Sequence, residues 1–207
     1  MCRVGKTYIY THIFKCGGTS VHNTLQKLDN TSKMMIGGHL DTESIRNHHI
    51  KHDMLDQFDN KFKFAVVRNP YDWIASTYYY IKRSRGHDLN KKMMNQSINQ
   101  FVDWFIDEAI HQDREEYQNK YLTQKQYLTE GREINGKVIV DYFTKMEELD
   151  KNWKYILEKI GLPYTQLGNV NKNPHKKKTY KGDFNDAAIK RIQETFKEDF
   201  KFFGYDM

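Results

Sequence analysis

The chain has 207 residues, and its 33 basic against 27 acidic side chains leave a formal net charge of +6, which favours an anionic ligand or acceptor without selecting one. Aromatic residues make up 14%, which argues against intrinsic disorder, and two cysteines are too few for a disulfide framework. Neither a signal peptide nor an apolar run of the roughly 20 residues that span a bilayer is evident, so we expect a cytoplasmic protein without membrane contact.

The first half of the chain repeats the order strand, turn, helix. Residues 7–12 alternate and are rich in β-formers, and a glycine turn joins them to a helix whose apolar face carries Val21, Leu25 and Leu28. Residues 62–67 form a second, mostly apolar strand, as is typical of a buried parallel sheet. After it, Pro70 is well placed to begin a helix whose apolar stripe is Tyr71, Ile74, Tyr78 and Ile81.

The second half predicts a helix over 98–109, a strand over 138–143, a helix over 149–160 closed by Gly161, and a last helix over 188–200. Polar segments connect these elements, including residues 30–38 and a basic loop over 169–182. Alternating strands and helices predict an α/β fold: a single domain over 1–207 with a central parallel sheet flanked by helices.

The glycine turn, Lys15 to Ser20, has the composition of an anion cradle. Two glycines allow a sharp turn and close backbone approach, and the amides that begin the next helix point at a bound anion. Thr19 and Ser20 add hydroxyl donors, and Lys15 adds positive charge. Lys15 precedes the glycines, whereas the hydrolase P-loop places its lysine after them. Taken alone, the pattern leaves a phosphate site and an ordinary tight turn equally open.

A second candidate anion site follows the strand over 62–67. Arg68 leaves the end of this strand, where ligands of α/β proteins usually bind. Ser76 lies two turns into the following helix, on a different face from the apolar stripe. A guanidinium and a hydroxyl in this arrangement predict a second phosphate site. The alternative is a salt bridge at the helix start and a surface serine.

Together these segments resemble the sulfotransferases that use 3′-phosphoadenosine 5′-phosphosulfate (PAPS), particularly the carbohydrate and heparan sulfate 2-O-type branch. The chain has HIFKCGGTS where that branch reads like HIPKTGGTS, and FAVVRNPYDWIAS where it reads like FxxVRNPYDRxxS. The segments DYFTKMEELDKNW, NVNKNPHK and KEDFKFFGY are also similar, whereas 84–136 has the least support. Phe14 replaces a proline and Cys16 a frequent threonine, which loosens the turn and removes a hydroxyl donor, but Lys15 and the backbone amides are retained.

The resemblance implies a P-loop-like sulfotransferase fold and in-line transfer of a sulfuryl group from PAPS to a hydroxyl, releasing 3′-phosphoadenosine 5′-phosphate (PAP) without a metal. Lys15 would contact the bridging oxygen and the 5′-phosphate, while Arg68 and Ser76 would hold the 3′-phosphate. Lys177 and Tyr180 would belong to a loop over the nucleotide, although a solvated loop is the alternative. The remaining contacts to the 5′-phosphosulfate would come from Cys16, Gly17, Gly18, Thr19 and Ser20.

The base that takes the acceptor proton is expected to be His39, because histidine titrates near neutral pH and the GGHL segment resembles the base-bearing segment of the 2-O-sulfotransferases. His12 and Glu147 are the other candidates, each with a tentative role in acceptor binding. A structural role for any of these residues is the alternative. The histidines at 48, 49 and 52 lack a completing set of ligands, so no metal site is expected.

The acceptor stays open among sugars, lipids, small metabolites and peptide tyrosine, with a carbohydrate favoured by the resemblance. Residues 84–136 are expected to form a helical insertion on the acceptor side. Two other functions compete: a P-loop-like nucleotide kinase or hydrolase, and a non-catalytic basic module that binds anions. A nucleic acid partner is not expected, and the oligomeric state is open.

Overall fold

A computed structural model describes residues 2–35, 60–83, 95–110, 122–130, 133–168 and 180–207. The strands are β1 (Cys2–Val4), β2 (Tyr8–Thr11), β3 (Lys33–Met35), β4 (Phe62–Val67) and β5 (Tyr142–Lys145). The helices are α1 (Gly18–Leu28), α2 (Pro70–Arg83), α3 (Ile98–Trp104), α4 (Leu149–Lys159), α5 (Asp186–Thr195) and α6 (Lys197–Phe203). The predicted α/β fold, a central sheet with flanking helices, is confirmed.

The chain divides into two compact units. The first comprises Met1–Val67 and Gln124–Asn173 and contains the sheet with α1 and α4. The second comprises Arg68–Thr123 and Pro174–Met207 and contains the other helices. Within the described stretches of both units, no helix is long and apolar enough to cross a bilayer.

The sheet of the first unit is mixed, with the strand order β3-β1-β2-β4-β5. β2, β4 and β5 are parallel, in a register that sets Tyr8 opposite Phe62 and Phe64 opposite Tyr142. β1 is antiparallel to both of its neighbours, β2 and β3. The parallel part was predicted, but the prediction of a plain connection over 30–38 was wrong because it contains β3. A strand of three residues has too little pattern to be recognised and depends on pairing with β1.

Side chains from both the strands and the helices form the core of the first unit. Tyr10 of β2 stacks on Phe64 of β4 with ring centroids 5.1 Å apart, and Val21 and Leu25 of α1 are fully buried. α4 is attached to β5 by the side chain of Asn152, whose Nδ2 donates to Thr144 Oγ1 at 2.9 Å. Because β2, β4 and β5 are parallel, their carboxyl ends lie at the same edge of the sheet.

The third predicted strand was wrong in position: 138–143 was expected, whereas β5 begins at Tyr142. The reason is Asp141, which exchanges hydrogen bonds with β4. Its Oδ2 accepts from the amide of Lys63 at 2.7 Å, and its own amide donates to the carbonyl of Lys63 at 2.8 Å. Val138 instead makes an isolated antiparallel bridge with Thr129. The apolar residues before Asp141 therefore pair with a loop rather than with the sheet.

The second unit is a helical cluster around Trp73. The indole of Trp73 lies edge-on to the rings of Phe105 and Phe196, with centroids 5.7 and 5.8 Å away. The predicted helix over 98–109 is confirmed as α3, but it continues as a π-helix over Phe105–Ile110. The single last helix that was predicted is broken at Phe196, between α5 and α6. Phe196 is buried against Trp73, and this packing requirement overrides the continuous helical pattern.

Candidate functional site

Polar segments follow the carboxyl ends of the three parallel strands. β2 leads into the glycine turn, β5 leads into a 3₁₀ turn over Met146–Glu148, and β4 is followed in the chain by Arg68. Ligands of α/β proteins bind at this edge of the sheet, because the loops that follow parallel strands collect there. The segments predicted to bind a ligand in the first unit are therefore where the fold places ligands.

The glycine turn combines two left-handed residues with an open helix start. Lys15 has φ of 61° and Gly17 has φ of 77°, and the amide of Cys16 donates to the carbonyl of Ile13 at 3.3 Å. A left-handed conformation is uncommon for a residue with a side chain and costs on the order of 1 kcal/mol, a kind of strain concentrated at functional sites. Gly17 is the N-cap of α1 and has no side chain to accept from the first helical amides. The first turn of α1 holds no acidic residue, so the positive end of the helix suits an anion.

The side chains of this turn differ in exposure. Lys15 is partly buried, and its Nζ lies 5.7 Å from the centroid of the Phe14 ring, within the range of a cation–π contact. Thr19 is exposed and Ser20 is partly buried. The ring of Phe14 therefore supports the ammonium group of Lys15.

Cys16 is turned into the interior and is fully buried. Its Sγ donates to Gln124 Oε1 at 3.4 Å, a contact that joins residues 108 positions apart. The thiol of Cys16 is hydrogen-bonded to Gln124 and its amide to Ile13, so Cys16 stabilises the turn from its buried side.

The 3₁₀ turn after β5 lies beside the glycine turn. A Cβ added at Gly17 would be 3.6 Å from Leu149 Cδ2 and 3.9 Å from Met146 Cγ. Glu147 lies between these two residues in the chain and is exposed. The structure therefore brings the segment that carries Glu147 next to the turn that carries Lys15.

His12 occupies the space between β2 and the glycine turn. Its ring centroid is 4.9 Å from that of His22 and 6.1 Å from that of Tyr10, and its imidazole lies against Gly18. Burial, followed by the neighbouring His22, lowers the pKa of His12 to about 3. The imidazole is therefore neutral at physiological pH.

In the second unit, Arg68 precedes a conventionally capped helix. Asn69 Oδ1 accepts from the amide of Tyr71 at 3.0 Å, its carbonyl accepts from the amide of Trp73 at 2.8 Å, and Pro70 occupies the first helical position, as predicted. The Arg68 side chain is 7% exposed. Because Asn69 already accepts from the first amide of α2, that of Tyr71, we expect an anion held in this unit to depend on side chains.

Ser76 and Tyr180 were both predicted to contact the cofactor. Ser76 lies on the face of α2 against which Tyr180 packs. The amide of Tyr180 donates to Asp72 Oδ1 at 2.7 Å, and its ring lies 5.8 Å from that of Tyr79. Ser76 is one turn after Asp72 and about one turn before Tyr79, so it lies on this face and is partly buried. A further bond from the Tyr79 hydroxyl to Asp183 Oδ2, 3.2 Å long, holds the segment that follows Tyr180.

Three of the predictions concern residues outside the described part of the chain. These are His39 as the base, Lys177 at the nucleotide, and the absence of a metal site at 48, 49 and 52. Among the residues that are described, no group of three or more histidine, cysteine or acidic side chains could hold a metal ion.

Sequence reasoning missed the residues that support the predicted ones. Asp72 gave a signal, since it lies in the NPYD motif, but an acid in the first turn of a helix is usually a partner of the helix dipole. Gln124 and His22 gave none, because their partners, Cys16 and Arg3, are distant in the sequence.

Comparison with known proteins gave two matches. A family model described as "Sulfotransferase family" matches residues 6–206. An uncharacterized protein of Archaeoglobus fulgidus is 32% identical over 108 residues, which are 51% of this chain and 72% of that protein. No solved structure matches the chain. The family match covers both compact units, including both predicted anion sites.

Proposed function

The chain belongs to the sulfotransferase family, and on this premise we propose that it uses PAPS as donor and a hydroxyl compound as acceptor. PAPS supplies the sulfuryl group: the bond from sulfur to the acceptor oxygen forms as the bond from sulfur to the 5′-phosphate oxygen breaks. The acceptor proton passes to a base of the protein, and PAP leaves with the electron pair of the broken bond. The observation that carries the proposal is the left-handed, uncapped turn at Lys15–Gly18 in a chain of this family.

The glycine turn is suited to the 5′-phosphosulfate. Its amides and the dipole of α1 favour the negative charge of the donor, and Lys15 adds a full positive charge. The leaving phosphate gains charge during transfer, so a preplaced ammonium stabilises the transition state more than the ground state. Thr19 and Ser20 supply hydroxyl donors in the first turn of the helix.

Arg68 and Ser76 are proposed to hold the 3′-phosphate that distinguishes PAP from AMP. A guanidinium forks onto two phosphate oxygens, and a serine hydroxyl donates to a third. The bond from Tyr180 to Asp72 supports this proposal, because it keeps the predicted nucleotide-contacting tyrosine on the face of α2 that carries Ser76. Lys177 is proposed to add charge to the same phosphate.

His39 is proposed as the base, and a carbohydrate of the type used by the 2-O branch as the favoured acceptor. Both rest on the resemblance of the sequence motifs. Glu147 is proposed to contact the acceptor, since it is exposed on the segment beside the glycine turn. A panel of sugars, phenols and peptides tested with labelled PAPS would identify the acceptor class.

The donor is tested by thermal unfolding with PAP and with AMP, which lacks the 3′-phosphate. PAP should raise the midpoint of the wild-type protein far more than AMP at equal concentration. Arg68→Ala should reduce the PAP shift to that of AMP, leave the AMP shift unchanged, and weaken PAP binding about tenfold or more. Arg83→Ala, at the exposed end of the same helix, is the matched control and should retain the full PAP shift.

Equal shifts with PAP and AMP in the wild-type protein would exclude a 3′-phosphate site. Magnesium-dependent ATP turnover without a PAP shift would favour a nucleotide kinase or hydrolase instead. Anion binding that weakens steeply with salt and does not depend on Lys15 would favour a non-catalytic basic module.

A further inference from the structure

The two glycines of the turn are required for different reasons. Gly17 has φ of 77°, a conformation that side chains rarely adopt. Gly18 has no positive φ, but a Cβ added there would overlap Nε2 and Cδ2 of His12. Gly18 is also buried, and the neighbouring imidazole is what prevents a larger residue from fitting there. The shape of the helix start therefore depends on where His12 lies.

His12 cannot easily move away, because His22 holds its other side. The two rings are nearly perpendicular, at 87°, with centroids 4.9 Å apart. His22 is 5% exposed and also forms a T-shaped pair with the Tyr10 ring, with centroids 5.1 Å apart. Tyr10 is itself fully buried against Phe64. The imidazole of His12 is thus held between the sheet, α1 and the glycine turn.

His22 is in turn oriented by Arg3 of β1. Arg3 Nε donates to His22 Nδ1 at 3.2 Å, and its other nitrogens donate to Ser32 Oγ at 2.7 Å and to Gln26 Oε1 at 3.5 Å. A ring nitrogen that accepts from a guanidinium carries no proton, so the proton of neutral His22 is on Nε2. Nε2 is buried without a hydrogen-bond partner in the described part of the chain.

We propose that His12 is a positioning residue of the donor site and not the base of the reaction. Supported by His22 and Arg3, it fixes the approach of Gly18 and hence the direction of the amides at the start of α1. This inference rests on the proposed function only for its effect on nucleotide binding. The contacts of His12 to Gly18, His22 and Tyr10 belong to the first unit and stand without it.

The charges that face His12 agree with this role. The positive charge of Lys15 acts on His12, and Arg3 donates to the adjacent His22, so a proton on His12 would be added close to existing positive charge. Burial and these neighbours lower the pKa values of His12 and His22 to about 3 and about 4. A base with a pKa far below the working pH drives proton transfer poorly.

A double-mutant cycle on Gly18 and His12 tests the packing. G18A should lower the thermal midpoint by several degrees, because the added methyl overlaps the imidazole. H12A should also lower it, by opening a cavity. The double variant H12A/G18A should melt above G18A, since the methyl then has space, whereas independent effects would make it melt below G18A.

The matched control is Gly17, whose neighbours are Leu149 and Met146 rather than His12. H12A should therefore not rescue G17A. If G18A fails to fold, recovery of a folded protein in H12A/G18A supports the inference. A double variant that melts below G18A, or that stays unfolded, overturns it.

The catalytic part is tested with H12Q, which is polar and does not titrate. A positioning role predicts PAP affinity weakened about fivefold to tenfold, kcat for PAPS cleavage with water as acceptor changed by less than about threefold, and an unchanged acid limb of its pH profile. A base role predicts kcat lowered about 100-fold or more, loss of the acid limb, and normal PAP affinity. The second pattern overturns the inference.

R3Q extends the test, since Arg3 lies outside the glycine turn and is linked to it through His22 and His12. Weaker PAP binding in R3Q with an unchanged pH profile supports the chain of contacts, and wild-type affinity in a folded R3Q overturns it. If PAP fails to bind the wild-type protein, the proposed function fails, while the melting temperatures of the Gly18 cycle still decide the packing.

Discussion

The starts of α1 and α2 both follow a parallel strand, yet they are built in opposite ways. α1 is preceded by two left-handed residues, Lys15 and Gly17, and has no side-chain cap. α2 begins with a proline, and the side chain of Asn69 accepts from its first amide, that of Tyr71. The first start therefore has no side chain that occupies its backbone donors, whereas the second uses a side chain to occupy one. An anion at α1 would be bound by the backbone, whereas an anion near α2 would depend on the side chains of Arg68 and Ser76.

Because of this difference, we expect the two helix starts to respond differently to substitution. Changes of backbone angle or space should impair the α1 start, because its amides lose their direction. At the α2 start, such changes should lower stability alone, and only loss of the charged side chain should impair binding. Each prediction below compares a variant of one region with a matched variant elsewhere.

The largest effect is expected for Lys15→Met. The substitution removes the charge that neutralises the leaving phosphate, so kcat with PAPS should fall about 100-fold or more, while PAP affinity changes far less. Steady-state turnover and calorimetric titration with PAP measure the two quantities. Lys6→Met, at an exposed lysine of the same unit, should leave both at wild-type values. Turnover of the Lys15 variant within threefold of wild type would remove Lys15 from the mechanism.

Acid should destabilise the α1 region through His12 and His22, whose pKa values are lowered in the folded protein. His12 and His22 have folded pKa values of about 3 and about 4, below the unfolded value near 6.5. Unfolding therefore takes up protons, and stability is complete above about pH 6.5 and falls by up to about 1.4 kcal/mol per histidine for each pH unit below it.

Urea unfolding at pH 7, 6 and 5 measures this slope. In H12Q the fall in the free energy of unfolding between pH 7 and pH 5 should be smaller than in the wild-type protein, because one proton uptake is lost. The described part of the second unit contains no histidine, so it should not contribute to this uptake of protons by histidine. An equal slope in both proteins would show that folding does not lower the pKa of His12.

Gly17→Ala should lower both stability and binding. Its left-handed conformation makes alanine unfavourable by about 1–2 kcal/mol. Gly161→Ala is the matched control, since Gly161 has φ of 72° and no neighbouring atom within 4 Å of an added Cβ. Thermal midpoints should fall by similar amounts in both variants, but PAP affinity should fall only in Gly17→Ala. Loss of affinity in both would point to a general effect of stability.

The smallest effect is expected at the cap of α2. Asn69→Ala should lower stability by about 1 kcal/mol, as should Asn185→Ala at the cap of α5, where Asn185 Oδ1 accepts from the amide of Ala188 at 2.9 Å. Calorimetric PAP affinity should stay near wild type in both variants. If only Asn69→Ala lost affinity, the amides at the start of α2 would also have to bind the nucleotide.

Local patterns predicted much of the fold and of the candidate site. β4 has the predicted bounds and α2 begins at Pro70, because an apolar run and a helix-starting proline act over a few residues. The glycine turn was found in the same way. The positions of β3 and β5 were missed, since they depend on pairing with distant strands, as the bonds of Asp141 to Lys63 show.

The sequence by itself determined which residues carry charge, which turns need glycine and which segments are strands or helices, because these properties depend on near neighbours. Only the tertiary structure decided that Cys16 faces Gln124, that Gly18 is shaped by His12, and that Tyr180 is held by Asp72. The physical reason is that burial and hydrogen bonding join residues distant in the chain, so an environment that lowers a pKa or restricts a side chain exists only after folding.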